Sequence, residues 1–183
     1  MGTFVAMIRS VNVGGRNRLA MADLRHLVSS LGFSDVTTYL QSGNAVFTGP
    51  GTAQAAGRAI ESRLTEDLGL TVPVVVRTAA QLRRVLETNP FAGDGVDPKT
   101  LHTTFLGGRP ASARLEELAG STGRSGDDRF ELIGTEVFLL CPGSYADTKV
   151  NNAYLERLLG VSATTRNWRT VTALAEMTAA VGH

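Results

Sequence analysis

Val36-Thr37-Thr38-Tyr39-Leu40-Gln41-Ser42-Gly43-Asn44-Ala45-Val46-Phe47 is the stretch whose reading decides the fold. Val36 to Leu40 and Ala45 to Phe47 are rich in β-branched and aromatic residues and read as two short strands. Gln41-Ser42-Gly43-Asn44 between them is turn chemistry, so the two strands form a hairpin. Upstream, Thr3 to Ile8 is apolar at nearly every position, as in a central strand covered on both faces. Met21, Leu24, Leu27, Val28 and Leu31 then recur at helical spacing, and Gly32 stops that helix. Downstream, a helix from about Thr52 carries Ala56, Ile60, Leu64 and Leu68 one turn apart and is closed by Gly69. Thr71 to Val76 reads as a fourth strand. The order is therefore β-α-β-β-α-β, the arrangement of a ferredoxin-like half.

The remaining chain repeats that order. Thr78-Ala79-Ala80-Gln81 matches a capping box and opens a helix that ends ahead of Asn89-Pro90. Ala92 to Pro98 is rich in Gly, Asp and Pro and marks a boundary. Leu101 to Leu106 is a strand and Ala111 to Ala119 a helix. Ser121 to Asp128 is a polar loop, and Arg129 to Ile133 with Glu136 to Cys141 make a hairpin. Val150 to Leu159 is a helix, Ala163 to Arg166 a last short strand, and the chain from Trp168 a final amphipathic helix. The expected fold is α+β, with two ferredoxin-like (βαββαβ) subdomains in tandem, an extra bridging helix and a C-terminal helix. Residues 1–91 form the N-terminal half with the bridging helix, and residues 99–183 the C-terminal half.

Composition narrows the function. Lys+Arg is 18 and Asp+Glu is 17, a net charge of +1, which argues against wholesale coating of nucleic acid or membrane. The single cysteine, Cys141, cannot form an intramolecular disulfide and stands without a basic neighbour in sequence, as a structural thiol would. No apolar run approaches the ~18 residues of a membrane span, and Met1-Gly2-Thr3-Phe4-Val5-Ala6 reads as a first strand, not a signal peptide. The expected location is cytoplasmic. Three histidines and one cysteine offer no metal-ligand spacing, and neither Gly-x-Gly-x-x-Gly nor a Walker loop occurs. No cofactor is expected.

Arg9-Ser10-Val11-Asn12-Val13-Gly14-Gly15-Arg16-Asn17-Arg18 is the chemistry-bearing segment. It joins a strand to a helix and exceeds the usual ~2–6 residues of such a connection. No acidic residue precedes Asp23, so its positive charge is locally uncompensated. In the βαββαβ order this loop and the Gln41-Ser42-Gly43-Asn44 turn fall at one end of the sheet. Arg9, Asn12, Gly14, Gly15, Arg16, Gln41, Ser42 and Asn44 are therefore candidate ligand-binding residues. A second acid-poor region contributes Lys149, Arg166 and Asn167, the last also a plausible helix cap. The plainer alternative is turn geometry with arginine for solubility, and a Trp168 that packs.

Three motifs together carry a resemblance. They are Arg9-Ser10-Val11-Asn12-Val13-Gly14-Gly15, Tyr39-Leu40-Gln41-Ser42-Gly43-Asn44, and Thr164-Thr165-Arg166-Asn167-Trp168-Arg169-Thr170-Val171, with Asn89-Pro90-Phe91 between them. In that order the chain resembles the family called domain of unknown function 1697. The family's opening Leu-Arg-Gly-Ile-Asn is here Ile8-Arg9-Ser10-Val11-Asn12, and serine in place of glycine implies a less permissive backbone at that position. The resemblance implies two ferredoxin-like halves and carries no activity with it. The expected function, argued from the residues, is binding of a phosphorylated or other anionic small ligand through the Arg/Gly/Asn loop. An enzyme acting on such a ligand is one alternative. A nucleic-acid-associated protein using the same arginines on phosphates is another, and the near-neutral charge and covered strands weigh against it.

Overall fold

A computed structural model describes residues 1–119 and 127–181. The loop expected over Ser121 to Asp128 lies mostly outside them. Two four-stranded antiparallel sheets and six α-helices are present among the described residues, so the chain is α+β.

The first sheet contains β1 (Gly2–Ile8), β2 (Ser34–Tyr39), β3 (Asn44–Gly49) and β4 (Val74–Thr78), in the spatial order β2-β3-β1-β4. Helix α1 (Met21–Ser30) connects β1 to β2, and α2 (Ala53–Leu68) connects β3 to β4. β1 is central, pairing with β3 from Gly2↔Gly49 to Met7↔Asn44 and with β4 from Phe4↔Thr78 to Ile8↔Val74. Alternate residues of the strands point to opposite faces. Phe4, Ala6, Ile8, Ala45, Phe47, Val74 and Val76 form one face and pack on Met21, Leu24, Leu27 and Val28 of α1 and on Ala56, Ile60 and Leu64 of α2. Val5, Met7, Val46, Val75 and Arg77 belong to the other face and are buried too.

The helices begin and end where their chemistry directs. Gly32 (φ +85) and Gly69 (φ +65) take the left-handed conformation that closes α1 and α2. Thr52 caps α2 by accepting from the Ala55 amide. At α3 (Ala79–Thr88) the capping box forms: the Gln81 amide donates to Thr78 Oγ1 at 3.1 Å, and the Thr78 amide donates to Gln81 Oε1 at 2.9 Å. One boundary differs from the sequence reading. β4 starts at Val74 rather than Thr71, because Pro73 has no amide proton for the ladder and its carbonyl accepts from the Arg9 amide.

The second sheet contains β5 (Leu101–Leu106), β6 (Arg129–Ile133), β7 (Glu136–Leu140) and β8 (Ala163–Asn167), ordered β6-β7-β5-β8. Helix α4 (Ser112–Ala119) follows β5, α5 (Asn152–Leu159) precedes β8, and α6 (Trp168–Val181) follows it. Its core joins Leu106, Val137, Leu139, Cys141 and Ala163 of the sheet side to Leu118 of α4 and to Leu155 and Leu159 of α5. α5 starts two residues later than the apolar pattern suggests, because Asn151 takes the cap and accepts from the Tyr154 amide at 3.0 Å. By contacts the chain divides into two compact units, Met1–Arg84 with Ala173–His183, and Val85–Thr172.

Candidate functional site

The connection from Ile8 to Met21 is a small twisted finger. Val13 and Arg16 form a bridge, with the Arg16 amide donating to the Val13 carbonyl at 3.1 Å, and the Asn12 amide donates to the Asn17 carbonyl at 3.1 Å. Gly14 (φ +57) and Gly15 (φ +75) make the two-residue tip, which needs positive φ at both positions. A Cβ on either glycine would meet no atom within 4 Å. The pair is there for backbone conformation, not for close packing.

Asn12 closes the base of the finger. Its Nδ2 donates to the Leu19 carbonyl at 2.8 Å and to the Gln41 carbonyl at 2.7 Å, while its Oδ1 accepts from the Leu19 amide at 2.9 Å. One side chain thus joins both ends of the loop and ties them to the β2–β3 turn. The Ile8 amide donates to the Gly43 carbonyl at 2.8 Å and strengthens that contact. Gly43 (φ +77) lies so close to the finger's root that a Cβ there would collide with Val11 Cγ2. The two loops expected to share one end of the sheet do share it, and the segment before β4 joins them through Pro73.

The individual side chains have different duties there. Asn44 is fully buried, and its Nδ2 donates to the Tyr39 carbonyl and to Ser42 Oγ. Asn12 therefore spends its amide on the backbone, and Asn44 divides its amide nitrogen between the backbone and Ser42. Gln41 is exposed at the turn. Arg9 is half-buried and donates to Ser10 Oγ at 2.8 Å. Arg16 and Arg18 are exposed, and their guanidinium groups make no hydrogen bond or ion pair among the described residues. Ser10 corrects one expectation: although it replaces a glycine, its φ is +53. Its carbonyl accepts from Asn17 Nδ2 at 3.0 Å, and Arg9 holds its hydroxyl, which keeps the residue in that conformation.

Backbone strain collects at this end of the sheet. Five non-glycine residues among those described have positive φ: Ser10, Asn12, Asn17, Asp35 and Leu40. Four of them belong to the finger and the adjoining turn. Leu40 (φ +57) is also 54% exposed, so it combines a conformation that aliphatic residues avoid with apolar surface in water.

Lys149, Arg166 and Asn167 are arranged otherwise. Asn167 caps α6, accepting from the Thr170 amide at 2.9 Å. Arg166 is buried, and desolvation lowers its pKa to about 10. Its Nη1 donates to Thr164 Oγ1 and to the Thr165 carbonyl. Thr165, one residue back, faces α5 and donates to Asn152 Oδ1 at 2.7 Å. Strand alternation turns Arg166 to the opposite face, away from Asn152 at the start of α5. Lys149 is exposed in the segment leading to that helix.

Sequence reasoning passed over Arg77. It occupies in β4 the place that Arg166 occupies in β8, the last position before a helix-capping residue. Arg77 Nη1 donates to the carbonyl of the residue before it at 3.1 Å, as Arg166 does at 3.0 Å. The signal was present as Arg77-Thr78 and Arg166-Asn167, each directly ahead of a helix. His102, read from the sequence only as a strand residue without metal-ligand spacing, packs on an aromatic ring. Its ring stacks on Tyr145 at 4.6 Å, and burial lowers its pKa. Among the described residues no group of three or more His, Cys, Asp or Glu side chains could hold a metal ion, and no helix is long and apolar enough to cross a membrane.

The finger, the turn and the first sheet all fall within residues 1–138, over which the chain matches the family described as protein of unknown function (DUF1697). The chain belongs to the DUF1697 family. No curated protein matches it. Among solved structures, this DUF1697 chain is similar to a conserved bacterial protein, SP0830 from Streptococcus pneumoniae, with a TM-score of 0.71 and 19% identity. That likeness covers 97% of this chain and 98% of the other. At this identity it speaks for the fold alone.

Proposed function

We propose that the chain binds a phosphate- or carboxylate-bearing ligand at the finger end of its first sheet. The observation that carries this reading is the pair of exposed guanidinium groups, Arg16 and Arg18, on a loop whose base Asn12 fastens to the turn. Arginine presents a planar fork of donors suited to such oxyanions. A fastened base lowers the ordering entropy that binding would otherwise cost. Arg9 stands at the root of the same loop and adds positive charge. We read Lys149, Arg166 and Asn167 as serving the architecture of the second unit. We also read each unit as a ferredoxin-like half, on the support of its strand order. A single buried thiol is in keeping with a cytoplasmic protein.

A thermal-shift screen at low ionic strength with inorganic phosphate, nucleotides and sugar phosphates tests the reading. A binding anion should raise the melting temperature. Arg16→Ala should weaken that anion by about 1.5–3 kcal/mol, the loss expected for a charged hydrogen bond. Unchanged affinity at matched salt would remove Arg16 from the site.

A further inference from the structure

We propose that the finger and the adjoining turn form a docking surface for an extended acidic polypeptide, with Val13 and Leu40 as its apolar contacts and Arg16 and Arg18 receiving its carboxylates. This rests on the anion reading above and adds the class of partner. Large exposed hydrophobic residues among those described are Met1, Val13, Leu40 and Leu68. Val13 (63% exposed) and Leu40 (54%) belong to the two loops that Asn12 joins. Each is the chain neighbour of a residue in the Asn12–Gln41 hydrogen bond, so the two sit on either side of the junction.

Neither residue suits the chain's own needs. Glycine would serve the left-handed position of Leu40 better, and a polar residue would serve the exposure of either. Val13 is the bridge partner of Arg16, and cross-strand partners project from the same face of a ribbon. An aliphatic group and a guanidinium therefore stand side by side. Protein interfaces are enriched in arginine beside apolar contacts. A small phosphate would leave Val13 and Leu40 uncovered, and a nucleic-acid backbone has little use for them.

Charge points the same way. Residues 1–30 contain four arginines and one aspartate, +3, while the whole chain is +1, so the remainder is −2. Within that stretch, residues 9–18 hold three arginines and no acid, a local positive charge on the finger itself that complements an acidic segment.

The test uses the full chain and fluorescence anisotropy at low salt. The probes are a labelled peptide repeating Glu-Ser-Leu-Ser, which sets acidic and apolar side chains on one face of an extended strand, a labelled Glu-Ser peptide without leucine, and a labelled single-stranded oligonucleotide. The leucine-containing peptide should bind tightest. The double variant Arg16→Ala/Arg18→Ala should weaken it by about tenfold or more. Val13→Ser and Leu40→Ser should each weaken it several-fold, with melting temperatures no lower than wild type. Equal binding of the Glu-Ser peptide or the oligonucleotide, or wild-type affinity in both serine variants, overturns the docking proposal and leaves the anion reading standing. Failure of every probe to bind also overturns the docking proposal, while the phosphate screen decides the anion reading separately. Wild-type binding by the double arginine variant defeats both.

Discussion

Asn12 shows how one side chain can organise a loop. Its carboxamide is used at both ends, and Leu19, whose amide and carbonyl it holds, is buried. Asn12→Ala strands those groups, and urea unfolding should show a loss of about 2–4 kcal/mol. Asn12→Asp should do no better, since it keeps the acceptor for the Leu19 amide but sets a carboxylate against two carbonyl oxygens. The meeting of the two loops was legible in the element order, but Asn12's bonding was not, because Asn12 beside Gly14-Gly15 reads as turn chemistry or as a ligand contact. Its partner Gln41 is 29 residues away and arrives only through the pairing of β1 with β3. Ser10 yields the opposite substitution. Ser10→Gly relieves a left-handed serine and should stabilise by about 0.5–1 kcal/mol in the same assay. Cys141, by contrast, was readable. Burial first, with Asp128 assisting, pushes its thiol up to about 11. The folded chain holds that proton more tightly than the unfolded chain does. The contribution to stability is therefore whole below about pH 9 and is lost as pH rises through about 11. At neutral pH the native thiol should resist a thiol-reactive dye that labels the urea-unfolded chain readily.

At the scale of elements, the two units share a device: an arginine at the end of the last strand, a capping residue, then a helix. Thr78 and Asn167 were recognisable as caps because the capping pattern is local in sequence. The arginines were not recognisable as a pair, because the residues around them differ, Val74-Val75-Val76 in one unit and Ala163-Thr164-Thr165 in the other. Both guanidinium groups are buried, and both reach back to the preceding carbonyl. A shared structural duty predicts matched costs. Arg77→Ala and Arg166→Ala should each lower stability by about 2–4 kcal/mol, through a cavity and a stranded carbonyl. A folded Arg166→Ala protein of wild-type stability would return Arg166 to the list of ligand residues. Element boundaries followed the same logic. Those set by neighbours in sequence, such as Gly32 and Gly69, were readable, whereas the start of β4 depended on Pro73 meeting Arg9 across the fold.

Across the whole molecule, the repeated element order came through because apolar periodicity survives where residue identity does not. The similar streptococcal chain, at 19% identity and 97% coverage, shows the same economy. What periodicity could not reveal is how much of the molecule depends on the finger's tip. Residues 13–18 lie beyond the Asn12–Leu19 contact, and a side chain begun at Gly14 or Gly15 would meet open space. The tip is therefore a permissive insertion point. A short flexible epitope spliced between Gly14 and Gly15 lengthens a loop already closed at its root, and each doubling of such a loop costs only about 0.6 kcal/mol. The melting temperature should barely move. The same splice between Gln41 and Ser42 would separate groups that Asn12 and Asn44 hold, and should unfold the chain at a clearly lower temperature. The finger could thus carry a foreign sequence on a protein whose fold does not register its presence.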